Sequence, residues 1–458
     1  MIRITVPASR SGPLNWVAGI VLGEMLGLRY ELLPGPETST VVIDDGSKRL
    51  SMSSNFPGID GDPALWREQM PSRPLKEWDL ARHLPEADLE GPLPLIFGSD
   101  ELQLAPDAIH CGVDIFGAIF FMLSRFEETV SGERDIHDRF PAVASLAWQE
   151  GFLGRPIVDE YVEVLWVMMK RLWSGLERSR RQGELKVSCD VDEPFDRVGT
   201  SPRALLRSIA GDLGKRRDPG LAVRRGRNFS AHRRGDLRFD PYYNFDWYMD
   251  VVEKQGRRAA FYFIPDHPAG AIDGTYEIDE PRVLKLIRKL ADRGHEVGMH
   301  GSYSTFRDPE RLASERALLA SACEKAGLPA DVPGNRQHYL RWDSAETPDH
   351  LDAAGFTYDT TGSFADRPGF RYGTAHPFPM WSWRRRAPLR LRQAPLVLME
   401  CSVTAKTYLG LGHSAEAFDV MTQLKRRALK YGGDFTLLWH NSQLLMPKDQ
   451  EFFIELQR

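Results

Sequence analysis

Four short stretches carry the side chains that metal or hydrolytic chemistry needs. Asp190-Val191-Asp192 closes an apolar run that begins at Leu185, and the two-residue alternation of an extended chain puts both carboxylates on one side. Two acids held side by side repel each other; a bound cation offsets that, leaving one acid to ligate and the other to act as a base. The plainer alternative is that one of them caps the turn at Glu193-Pro194. His300 closes the run 294–300, where an imidazole can ligate a divalent metal. A lone histidine is as readily structural, which is the expectation for His295 at the other end of that run. Arg336-Gln337-His338-Tyr339-Leu340-Arg341 sets two cations, an imidazole and an aromatic ring on one loop. His440 ends the apolar run 435–440 in a group suited to general-acid work, or to a hydrogen-bonded place in the core. Four separate runs, each ending in Asp, His or Arg, are harder to ascribe to packing than any one alone.

The elements that must position these groups start at about residue 184. Short β-rich runs at 185–190, 259–264, 296–299, 331–333, 356–358, 396–400 and 435–439 alternate with helical patterns. The helix predicted at 281–293 opens on Pro281, places Val283, Leu284, Leu286, Ile287 and Leu290 at helical spacing and stops at Gly294. Those at 309–326 and 414–431 follow the same grammar. About seven βα units predict a parallel sheet closed, or nearly closed, into a distorted (β/α)7-type barrel, with its active site at the C-terminal strand ends. Residues 1–180 lack this rhythm and read as a mixed α/β module with helices at 113–129 and 158–179. The charged stretch 177–183 marks the boundary.

At 458 residues the chain has room for both parts, and 42% apolar with 27% charged residues excludes disordered and fibrous classes. The net charge of −5 excludes a general polyanion binder. The apolar stretch 16–28 contains Glu24 and is too short to span a bilayer, so it reads as a buried helix with no export signal. Cys111, Cys189, Cys323 and Cys401 show no CxxC spacing, which points away from disulfides and thiolate zinc sites and towards the cytosol.

Taken in order, these motifs resemble the NodB-like polysaccharide deacetylases, carbohydrate esterase family 4, over roughly residues 184–445. The resemblance implies Asp190 as general base, Asp192 and His300 as metal ligands, Arg336 as the residue that orients the base and His440 as general acid. It also implies a divalent metal, zinc before others. The family's second motif carries a further histidine four residues after the first, and here that position is Ser304. His338, standing where the family has proline, is the candidate replacement; Ser304 itself or water are the alternatives. Tyr339, Arg341, Tyr303 and Trp439 are the expected substrate contacts. In the first half, 114–128 and 139–161 are similar to an uncharacterised N-terminal module attached to one branch of these deacetylases, a branch similar to proteins of O-antigen clusters.

The implied reaction is metal-dependent deacetylation of an N-acetylated sugar in a bacterial surface-polysaccharide precursor. The rival expectation is a degenerate barrel that binds glycan or lipid-linked sugar without hydrolysis, which Ser304 favours and the retained acids and bases oppose. Between Arg197 and Arg238 twelve Lys/Arg face three Asp. That local excess suits an anionic substrate, such as a nucleotide- or lipid-linked sugar, or an anionic membrane surface, or is a solvated loop. With few aromatics and no binding motif there, nucleic acid is not expected. Trp381, Trp383 and the aromatics of 364–378 form either a sugar-stacking loop or core.

Overall fold

The computed structural model describes the chain except residues 57, 58, 60–66, 180, 197–200 and 233. Two sheets organise it. The first joins β1 (Ile2–Val6), β2 (Tyr30–Pro34), β3 (Thr40–Asp44) and β4 (Arg49–Ser53) to a later pair, with a small hairpin of β5 (Lys76–Trp78) and β6 (Leu93–Leu95) lying beside it. With β7 (Gly98–Leu104) and β8 (Ala108–Val113) its order is β2-β1-β3-β4-β8-β7.

The second sheet carries the site. It contains β9 (Leu185–Val191), β10 (Ala259–Phe263), β11 (Glu296–Gly301), β12 (Gly334–Gln337), β13 (Tyr358–Asp359), β14 (Phe378–Ser382), β15 (Ala387–Gln393), β16 (Leu398–Met399) and β17 (Phe435–Leu438). The order is β14-β15-β13-β12-β11-β10-β9-β17-β16, parallel throughout except for the antiparallel β14–β15 pair. The sheet curls into a half-barrel whose edge strands, β14 and β16, do not pair with each other among the described residues. It therefore has more strands than seven βα units supply: the stretch 378–393, with its Trp-Ser-Trp and arginines, is a hairpin and not a loop over the site.

Cys189 and Val191 of β9 pair in register with Phe261 and Phe263 of β10, and these four and Val187 are buried on one face of the sheet. The helix Pro281–Asp292 starts on proline, buries Val283, Leu286, Ile287 and Leu290, and is followed by Gly294 at φ 77°. Full burial of each such side chain contributes about 1.5–3 kcal/mol. Asp308 caps Pro309–Lys325 by accepting from the Arg311 amide at 3.0 Å. Both helices pack against β11.

The first half departs from expectation in detail. The helix expected over 113–129 is two, Ile115–Ser124 and Phe126–Val130, broken at Arg125 (φ 55°), whose buried guanidinium turns back to pair with Glu127 and Glu128. The second helix ends at Leu172 rather than 179. In the second half, the described residues of the basic segment form the helix Pro202–Gly211, a π-helical turn Asp212–Arg216 and the helix Pro219–His232; its Arg197 and Arg233 lie outside the described residues.

One continuous apolar core runs through both sheets. Trp16 packs on Phe120 and on Trp381 at 5.7 and 5.4 Å between ring centroids, and its Nε1 donates to the Pro379 carbonyl at 3.0 Å. Trp381 and Trp383 are thereby core residues. Arg371 crosses the same seam to Glu128 at 2.7 Å. Among the described residues no helix is long and apolar enough to cross a membrane.

Candidate active site

Ser188, Asp190 and Asp192 follow one another on one face of β9 and its exit, as the pleat requires. Arg336, fully buried on β12, donates from Nη1 both to Asp190 Oδ1 at 2.8 Å and to Ser188 Oγ at 2.9 Å. Its Nε donates to the Thr360 carbonyl at 3.2 Å, and its guanidinium lies 4.8 Å from the centre of the Tyr262 ring. Asp190 is so fixed in direction, with Oδ2 left towards His300 Nε2 at 3.6 Å.

Asp192 sits half-buried at the focus of three imidazoles. Its Oδ1 lies 3.4 Å from His300 Nε2 and 3.7 Å from His338 Nε2, and its Oδ2 lies 3.8 Å from His440 Nε2. Oδ1 is buried without a hydrogen-bond partner. The outer nitrogens are committed elsewhere: His300 Nδ1 donates to the Arg336 carbonyl at 2.9 Å, and His338 Nδ1 donates to Asp273 Oδ1 at 3.0 Å. Those bonds fix each ring's tautomer and aim both Nε2 lone pairs at the same point. A carboxylate and two imidazoles, held from behind and facing one unpartnered oxygen, fit a zinc-class divalent ion.

The electrostatics agree. Burial pushes the Asp192 carboxyl up, but His338, His300 and His440 outweigh it and hold it below the usual carboxylate range. Burial pushes His300 down, but Asp190 and Asp192 outweigh it and raise it. The focus is thus a place where positive charge is favoured. Asp273, though buried, is held below its usual range by the His338 bond and by the amides of Tyr303 and Ala269.

His440 leaves β17 with Nδ1 at 2.5 Å from Glu400 Oε1, which also accepts the His440 amide at 3.2 Å. Burial pushes this imidazole down, but Glu400 prevails and holds it well above its usual range. Pinned at Nδ1 by Glu400, the ring presents Nε2 to the cavity, the position a proton donor needs. The cavity above these groups has a volume of about 740 Å³, with Arg139, Tyr339, Arg207 and Arg216 on its walls. Tyr339 and Leu340 both have positive φ, 61° and 53°, a conformation side chains other than glycine rarely adopt and one that clusters at functional sites.

Residues 2–174 match the model of a family of unknown function, DUF7033, over less than half of the chain. No curated protein matches it. Similar solved structures include a Mycobacterium smegmatis protein assigned as a polysaccharide deacetylase, at 19% identity and a TM-score of 0.38, with 61% of this chain and 83% of that one covered. A Pseudomonas aeruginosa PAO1 protein, also assigned as a polysaccharide deacetylase, gives 14% and 0.36 over 62% and 89%. An allantoinase, Puue, gives 12% and 0.35 over 60% and 82%.

The structure brings Asp190, Asp192, His300, Arg336, His338 and His440 into one cluster and leaves Ser304 exposed on the following turn. Of the expected substrate contacts, only Tyr339 lines the cavity. Trp439 is buried against Phe453, because alternation along the strand turns it away from His440. Arg341 stacks on Tyr303 and Phe306 at 4.0 Å and donates to the His137 carbonyl, so both it and Tyr303 face the first half of the chain. Asp273, Glu400, Ser188 and Arg139 escaped the sequence reading. Glu400 had a usable signal, since it ends the apolar run 396–400 just as Asp190 ends its own. Asp273, in a loop, had none.

Proposed function

We propose that the protein is a metal-dependent hydrolase that removes the acetyl group from an N-acetylated sugar, with residues 184–458 as a NodB-like catalytic barrel and 1–180 as an accessory module. The observation that carries this reading is the convergence of His300 Nε2 and His338 Nε2 on the unpartnered Asp192 Oδ1. Asp192, His300 and His338 would hold the ion, zinc for preference. A divalent ion supplies Lewis acidity that polarises an acyl carbonyl and makes water acidic.

The chain's own groups do the proton work. Asp190, aimed by Arg336 and Ser188, accepts the proton of the attacking water at Oδ2. His440, oriented by Glu400, delivers a proton from Nε2 to the departing amine. Arg207, from the helix Pro202–Gly211, and Arg216, from the turn that follows it, line the same cavity. They support a nucleotide- or lipid-linked sugar as substrate, such as a cytoplasmic precursor of a bacterial surface polysaccharide.

The test is acetate release from nucleotide-linked N-acetylated sugars, with and without chelator. The reading expects release that chelation abolishes and zinc restores. It expects Asp190→Asn to keep its metal while turnover falls at least about 100-fold. Full turnover in Asp190→Asn, or binding of sugar without acetate release, would overturn it.

A further inference from the structure

The loop 135–139 belongs to the first half of the chain, within the stretch that matches the family of unknown function, yet it rests on the rim of the candidate metal site. It is locked internally. The Asp135 amide donates to the Arg139 carbonyl and the Asp138 amide to the Asp135 carbonyl, each at 2.9 Å. Asp135 Oδ1 accepts the amides of His137 and Arg139 at 2.9 and 3.0 Å, and its Oδ2 takes Arg139 Nε at 2.8 Å. Asp138 is itself at positive φ, 57°. The result is a stiff support that holds a buried guanidinium in one direction.

That guanidinium points at the turn after His338. Arg139 Nη1 donates to the Tyr339 carbonyl at 2.8 Å, between the two consecutive residues with positive φ and one residue beyond the second imidazole that faces Asp192. His137 adds a ring contact to Tyr339, 4.7 Å between centroids, and its Nδ1 lies 3.1 Å from the Tyr303 hydroxyl. The Tyr303 amide in turn donates to Asp273 Oδ1 at 2.7 Å, the atom that receives His338 Nδ1–H. From the other side, Arg341 Nε donates to the His137 carbonyl at 2.8 Å and Arg307 pairs with Asp138 at 2.5 Å. Both the backbone that carries His338 and the carboxylate that orients its ring are therefore braced by the same loop.

We propose that the N-terminal module is a working part of the metal site, with Arg139 as a positioning residue that holds the strained 338–340 turn so that His338 Nε2 faces Asp192. This inference rests on the metal reading above. Without the Arg139 bond the Tyr339–Leu340 turn is free to relax to ordinary backbone angles, and His338 moves with it. Groups that orient a ligand from behind typically change metal affinity 10–100-fold when removed.

The test is a cobalt(II) titration of the full chain, followed by the visible absorption of the bound ion. The variants are Arg139→Gln, Arg139→Lys, Asp135→Asn and a control, Arg155→Gln, which breaks a half-buried ion pair to Glu160 elsewhere in the module. The expected result is cobalt affinity at least about tenfold weaker in Arg139→Gln with an altered spectrum, partial rescue in Arg139→Lys, and wild-type affinity in Arg155→Gln even where its urea midpoint falls. Asp135→Asn reports the same weakening if Arg139→Gln folds poorly. Equal affinity in wild type, Arg139→Gln and Asp135→Asn overturns the inference and leaves the metal site standing. Equal weakening in Arg155→Gln assigns the effect to general instability and overturns it too. A wild-type chain that binds no cobalt overturns the metal reading and this inference together.

Discussion

Glu315 gives a prediction whose magnitude follows from its surroundings. It lies buried on the helix Pro309–Lys325, where it accepts the Ser302 amide at 2.9 Å and the Ser302 hydroxyl, two residues beyond His300. Burial, reinforced by Asp266 and Asp273, outweighs those bonds and raises its carboxyl from 4.5 to about 7. A carboxyl raised on folding binds its proton more tightly in the native chain than in the unfolded one. Its stabilising effect is complete below pH 4.5 and is lost as the pH rises through about 7. At about 1.4 kcal/mol per pH unit across that window, the loss amounts to about 3 kcal/mol. Glutamine matches the neutral acid in shape and does not titrate. Urea unfolding of wild type and Glu315→Gln at half-unit steps from pH 4.5 to 8 should give near-equal stabilities at the acid end and an advantage for the variant that grows to about 3 kcal/mol above pH 7. A difference that stays constant across the range would refute the assignment of a neutral buried acid.

Two further outcomes follow from the packing. His376 is the mirror case: burial lowers its imidazole from 6.5 to about 4, so its contribution is present above pH 6.5 and is lost as the pH falls through 4. The stability of wild type relative to His376→Gln should therefore drop on acidification, by up to about 3 kcal/mol, in urea titrations. Trp16→Ala removes an indole shared by both sheets and should cost about 3–5 kcal/mol. Far-ultraviolet circular dichroism and tryptophan fluorescence should still report a single joint transition, and two separated transitions would contradict a shared core.

How much was legible in the sequence depended on what period and position can encode. A run of apolar residues that ends in a titratable group fixes the height of that group at the mouth of a parallel sheet, which is why Asp190, His300 and His440 could be placed from spacing alone; Arg336 read as part of a loop after a strand at 331–333, whereas the strand is Gly334–Gln337 and holds Arg336 within it. It does not fix the partner behind the group. Asp273 comes from a loop after β10, and Arg139 reaches the rim from about two hundred residues upstream of Tyr339, distances no local pattern records. Trp439 and Arg341 read as substrate contacts because they neighbour such groups in sequence. Alternation along the strand turns the first into the core, and the ring faces of Tyr303 and Phe306 hold the second. The hairpin β14–β15 read as a possible loop because its tryptophans face a core supplied by the first half of the chain, and that core appears only on folding.

The most direct test of the central claim is metal content by elemental analysis of wild type and His338→Ala, purified in parallel without chelator. The account predicts about one divalent ion per chain in wild type and its loss in the variant. A wild-type chain that stays metal-free after reconstitution, or a variant that keeps its ion, would contradict it.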